Sequence, residues 1–121
     1  MVTAEQIKSL FDRVDALRKY LDIETKIVQL QEEELKTQAP EFWLDQKRAE
    51  EQMKKVKGIK YWISGYNDVK SCVEELQLAF DFYKEEAMTE DEVDAVYEKS
   101  TISVEDLEMR NMLRREEDKL G

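Results

Sequence analysis

The chain has 121 residues, a formal net charge of −10 and 40% charged residues, which fit one domain with much solvent-facing surface. Three glycines and one proline are too few turn formers for an all-β fold, and a 41% hydrophobic content is too high for a disordered chain. The acidic surplus disfavours a general nucleic-acid binder, no apolar run nears the roughly 20 residues of a membrane span, and the opening MVTAEQIKSLF lacks the apolar stretch of a signal peptide.

Four helical segments follow from caps and periodicity. Thr3 and Gln6 have the spacing of a capping box, and Val2 with Ile7 that of a hydrophobic staple, so a first helix opens at Thr3. Ile7, Val14 and Leu21 recur every seven residues with Leu10 and Leu17 between them, an a/d seam. Beyond Leu21 the stripe shifts to Ile23, Ile27 and Leu30, which marks a bend or break near Asp22 and a second segment to about Lys36. Pro40 separates this segment from the next and biases Ala39 away from helix. Phe42 and Trp43 follow it. Burial at the end of a bundle is the reading favoured for them by their size, with a partner-binding anchor as the alternative.

Asp45 is the N-cap of the third helix, with Leu44 and Ala49 at staple spacing, and the helix is expected to run to about Glu86. Ile59, Tyr66, Val73 and Phe80 form one heptad series; Trp62, Val69, Leu76 and Tyr83 form the other. A third series, Gly58, Gly65, Cys72 and Ala79, is small throughout. A helix-interior glycine costs about 1 kcal/mol relative to alanine, so the series points to a groove for a close helix neighbour, or to a hinge. Thr89 with Glu92 and Met88 with Val93 open a fourth helix. The run Ser100–Ser103 is poor helix sequence and predicts a weak or frayed turn. Residues 114–121 read as a polar tail or linker. The whole is expected to be all-α: one domain, residues 1–121, an antiparallel bundle of three to four helices with coiled-coil-like packing and one long helix.

Candidate chemistry is sparse. The absence of histidine removes the commonest general base and metal ligand, so no catalytic residue and no metal or other cofactor is assigned. The carboxylates Glu32, Glu33 and Glu34 read as a solvated acidic run. Cys72 is unpaired, which suits a cytoplasmic location, and its place on the small-residue series suits burial. Lys47, Arg48, Lys54, Lys55, Lys57 and Lys60 gather after the proline, whereas acidic residues dominate from Glu74 to Asp94. This basic cluster is either a solvated face or a docking patch.

The stretch LKTQAPEFWLDQKRAEEQMKKVK, residues 35–57, with ALRKYLDIETK before it and NMLRREEDKLG at the end, resembles the N-terminal domain of the bacterial peptide chain release factor 2 family, along almost the whole chain. The family's Gly-Gly-Gln and Ser-Pro-Phe motifs are absent, because the glycines stand alone at 58, 65 and 121 and Pro40 lies between Ala39 and Glu41. The resemblance implies an accessory arm in translation termination, without release activity of its own. It implies contact with the ribosomal stalk base, with stop-codon messenger RNA reached only through a full-length factor, and the GTPase recycling factor as a further partner; neither membrane nor DNA is expected. Lys47, Arg48, Lys54, Lys55 and Lys57 are the candidate ribosome contact, and Phe42 and Trp43 the candidate partner anchor. A free-standing ribosome-binding regulator of termination and a generic coiled-coil scaffold are the alternatives.

Overall fold

The structure, a computed structural model, describes residues 1–120; Gly121, the end of the expected tail, lies outside the described residues. Four α-helices and one 3₁₀ turn make up the described chain: α1 (Ala4–Tyr20), α2 (Ile23–Lys36), the 3₁₀ turn (Pro40–Leu44), α3 (Gln46–Lys84) and α4 (Glu90–Leu120). The expected all-α bundle is what forms.

The helix starts are built by local hydrogen bonds. Thr3 Oγ1 accepts from the Gln6 N–H at 3.1 Å while Gln6 Oε1 accepts from the Thr3 N–H at 2.8 Å. Thr89 and Glu92 repeat the arrangement at the head of α4, with both bonds at 3.2 Å. Asp45 Oδ1 caps α3 by accepting from the Arg48 N–H at 3.2 Å. The break after Leu21 is a single left-handed residue, Asp22, with φ of 50°. The Lys26 ammonium donates to the Leu21 carbonyl that the break frees, and burial pushes the Lys26 pKa down. At its far end α3 closes with a Schellman motif: the Ala87 N–H donates to Phe82 O at 2.8 Å and the Glu86 N–H to Tyr83 O at 3.0 Å. Glu86 sits at φ of 59°, where glycine is the usual occupant.

The 39 residues of α3, about 58 Å at the standard rise, form the spine. α4 runs antiparallel to it, because Cys72 meets Ser100, Gly65 meets Leu107 and Trp62 meets Arg114. α1 runs parallel to α4, tied by the Val2 N–H to Asp94 Oδ1 at 2.8 Å and by a bidentate Arg13–Glu108 pair at 2.6 and 3.0 Å. The main core takes Ile7, Leu10, Val14 and Leu17 from α1 with Leu21 just after it, Tyr66, Val69, Val73, Leu76 and Ala79 from α3, and Val93, Val104 and Leu107 from α4. It ends on α3 at Tyr66. Ala49, Val56 and Ile59, nearer the N-terminus of α3, are buried but stand outside this core. There α3 pairs with α2 instead.

Four expectations need correction, and the expected polar tail is helical. The run Ser100–Ser103 is not a frayed turn: α4 is continuous, and Ser100 is fully buried with its Oγ donating to Cys72 O at 3.0 Å. Trp43 is not packed into the bundle but 62% exposed, and Phe42 is only half-buried. Leu44 is 85% exposed, so the staple to Ala49 does not form. Gly58 faces open space, since a Cβ there would meet nothing within 4 Å; only the Gly65, Cys72 and Ala79 part of the small-residue series is turned inward. Residues 114–120 are the last turns of α4, exposed except for Arg114.

Candidate docking surface

The basic cluster lies on the part of α3 that projects beyond the main core, beside the 3₁₀ turn. The 3₁₀ turn is set by Pro40 at its first position and by the Phe42 N–H donating to Ala39 O at 3.0 Å. It holds the Phe42 and Trp43 rings edge to face, with centroids 4.7 Å apart. The cations do not form one patch. Helical spacing places Arg48 and Lys55 on the side of α3 that faces α2, and Lys47, Lys54 and Lys57 around the opposite edge.

On the α2 side the charge is consumed internally. Glu33 is buried, and its carboxylate accepts from Gln52 Nε2 at 2.7 Å and lies 3.2 Å from both Lys36 Nζ and Lys55 Nζ. Gln52 also donates to Glu33 O at 2.9 Å. The Gln52 amide foremost, then the two ammonium groups, hold the Glu33 carboxyl at about 2 against the opposing effect of burial. Glu33 therefore clasps α2 to α3, and Lys55 belongs to that clasp. The solvated-run reading of Glu32–Glu34 holds for Glu32 and fails for Glu33.

On the other edge the cations are unengaged. Among the described residues Lys47, Lys54 and Lys57 form no ion pair, and Lys60 reaches only Glu34, at 3.9 Å; Arg48, on the α2 side, forms none either. Lys54, Lys57 and Lys60 border an open groove of about 690 Å³ whose floor is Ala49, Met53 and Val56 and whose end is Trp43. Phe42 opens onto a separate hollow of about 310 Å³ beside Arg48 and Gln52. Of the anticipated site residues, the fold thus joins Trp43 with Lys54 and Lys57, puts Phe42 with Arg48, and pairs Lys55 with Glu33. The sequence reading missed the apolar floor. Its signal was present in the spacing of Ala49, Met53, Val56 and Lys60, which lie three and four residues apart.

Among the described residues no group of three or more Cys, Asp or Glu side chains is arranged to hold a metal ion, and no helix is long and apolar enough to cross a membrane. The Cys72 thiol is buried, 3.5 Å from Ser100 Oγ. Tyr61 and Trp62 are used within the fold: Arg110 lies 5.5 Å from the Tyr61 ring centroid and donates to its hydroxyl at 3.0 Å, and Arg114 lies 5.3 Å from the Trp62 centroid.

No family model and no solved structure matches the chain. Among curated proteins, the peptide chain release factor 2 of Staphylococcus haemolyticus (strain JCSC1435) is 31% identical over 70 residues, 58% of this chain and 19% of that protein. The match is shorter than the nearly full-length resemblance read from the sequence. The chain spans about a fifth of that relative's length and shares with it a distant, partial similarity.

Proposed function

We propose that this chain is the N-terminal accessory domain of a translation termination factor. Its role is to contact the ribosomal stalk-base region and help position the factor for stop-codon-dependent release in the cytoplasm. It carries no release activity itself; messenger contact would come through the full-length factor, and the GTPase recycling factor is a further partner. The observation that carries this reading is the 31% identity with peptide chain release factor 2. The projecting end of α3 supports it, because unengaged Lys47, Lys54 and Lys57 and an exposed Trp43 suit contact with a larger assembly.

The test is co-sedimentation of the chain with ribosomes across a salt series. Lys47→Glu, Lys54→Glu and Lys57→Glu together should weaken association on the order of tenfold at low salt, with a smaller effect as screening grows. Lys55 is left in place because of its pairing with Glu33. Association that is absent, or indifferent to these changes at every salt concentration, refutes the reading. Peptidyl-tRNA hydrolysis on stop-codon complexes above a no-factor control would refute its second half.

A further inference from the structure

We infer that the groove between Trp43 and Lys60 receives an acidic amphipathic helix of a partner protein. The inference deepens the proposed function and rests on its reading of this end of the molecule as a docking surface.

The groove has the dimensions and chemistry of a helix seat. From Ala49 to Lys60 it follows about 16 Å of α3, three helical turns, which leaves room for the about 10 Å covered by anchors at i, i+4 and i+7 of an incoming helix. Its apolar lining is partly open to solvent: Ala49 and Val56 are buried, but Met53 is 43% exposed and Trp43 62%. Trp43 is the natural anchor. Its ring packs edge to face on Phe42, which lowers the freedom to be lost on binding. Met53 brings an unbranched, adaptable side chain that moulds to its occupant.

Charge identifies that occupant. The chain carries −10 overall, so an acidic segment is repelled by most of this surface. Along this edge it meets Lys54 and Lys57, neither engaged by a carboxylate, and Lys60, engaged only at 3.9 Å. Such an arrangement sets register and orientation as well as attraction. A nucleic acid fits less well. Glu50 on the rim repels carboxylate and phosphate alike, but the apolar floor rewards an amphipathic helix and offers phosphates nothing, and three cations on a strongly acidic protein make a weak phosphate track. A second copy of the chain would have to overcome the repulsion between two −10 bodies.

The experiment is an amide and indole NMR titration of the full chain with a synthetic helical peptide of about 18 residues, carrying leucines at i, i+4 and i+7 and glutamates on both flanks. Parallel titrations use the same peptide with glutamine for glutamate, and a single-stranded RNA oligonucleotide. Perturbations confined to the Trp43 indole and residues 49–60 are expected. Affinity should fall roughly tenfold or more in Trp43→Ala and in Lys54→Glu/Lys57→Glu, and also with the glutamine peptide or added salt. Trp43 is exposed, so its replacement leaves the fold intact, to be confirmed by the undisturbed remainder of the spectrum. The inference is overturned by no binding, by binding that maps elsewhere or survives Trp43→Ala, by RNA taking the groove in preference to the peptide, or by self-association through Trp43 in the unliganded chain. Peptide failure with intact, charge-sensitive ribosome association rejects the helix seat and leaves the proposed function standing. Groove-mapped peptide binding without ribosome association does the reverse.

Discussion

At the scale of single residues, the backbone is most costly where two side chains occupy left-handed positions. Glu86 closes the Schellman motif at φ of 59°, and its Cβ is strained there for no contact the fold requires, since the residue is exposed. Glu86→Gly should raise stability by about 1 kcal/mol, read as a higher denaturation midpoint with unchanged slope. The helix-interior glycines behave differently from each other. Gly58 faces open space, so Gly58→Ala should stabilise by about 1 kcal/mol. At Gly65 a Cβ would lie 3.5 Å from Arg110 Nη1 and 3.7 Å from Leu107 Cδ1, which is ordinary contact. Gly65→Ala should therefore stabilise by several tenths of a kcal/mol or more, whereas Gly65→Leu must displace Leu107 and should cost about 1–3 kcal/mol. Thermal melts of the set separate the close approach at 65 from its absence at 58.

Between helices, α3 and α4 are tied at Cys72 and Ser100, with Ser100 Oγ donating to Cys72 O at 3.0 Å. Ser100→Ala should cost about 0.5–1.5 kcal/mol through the lost bond, while Ser100→Leu has no space to enter and should cost about 1–3 kcal/mol or more by urea denaturation. The same contact explains what sequence could and could not reveal. Thr3 with Gln6, Asp45, and Thr89 with Glu92 were legible as helix starts because a cap bonds only to residues three positions away. The α1 seam was legible because every member faces one packed core. Ser100 was misread because its value is tertiary: intrinsic propensity counts its hydroxyl against helix, and only the nearby Cys72 carbonyl turns it into a tie. Phe42 and Trp43 were misjudged for a related reason. Size favours burial only where a surface is within reach, and the 3₁₀ turn carries Trp43 past the end of the bundle. For the docking surface, the composition of the cluster was readable and its division was not. That Lys55 turns to Glu33 while Lys54 turns to the groove depends on where α2 lies.

The whole molecule is joined unevenly along α3, and Glu33 marks the difference. Its carboxyl is held at about 2, well below the ordinary 4.5. A carboxyl depressed on folding stabilises the fold above its unfolded pKa, and that contribution fades as pH falls from about 4.5 towards 2. Asp15 and Glu24 are also lowered, by Arg18 foremost, so acid sensitivity has more than one source. The clasp is isolated by difference: the stability of the unaltered chain minus that of Glu33→Gln should shrink across this window and stay level above pH 5. A difference that does not change with pH would mean that Glu33 is not ionised in the clasp.

Because the main core stops at Tyr66, the two halves of α3 are not equally locked. Backbone amides around Val69 to Leu76 lie where α1 and α4 pack on α3 and should exchange with solvent deuterium only through global unfolding. Those around Ala49 to Val56 are covered by α2 and one polar clasp, and should exchange through smaller, partial openings of lower free energy. One continuous helix would then carry two protection levels, with the boundary near Gly58–Tyr66. The less protected level is the one that bears the groove, so an occupant seated against Trp43 and Met53 would slow exchange there selectively and leave the rest of the helix unchanged.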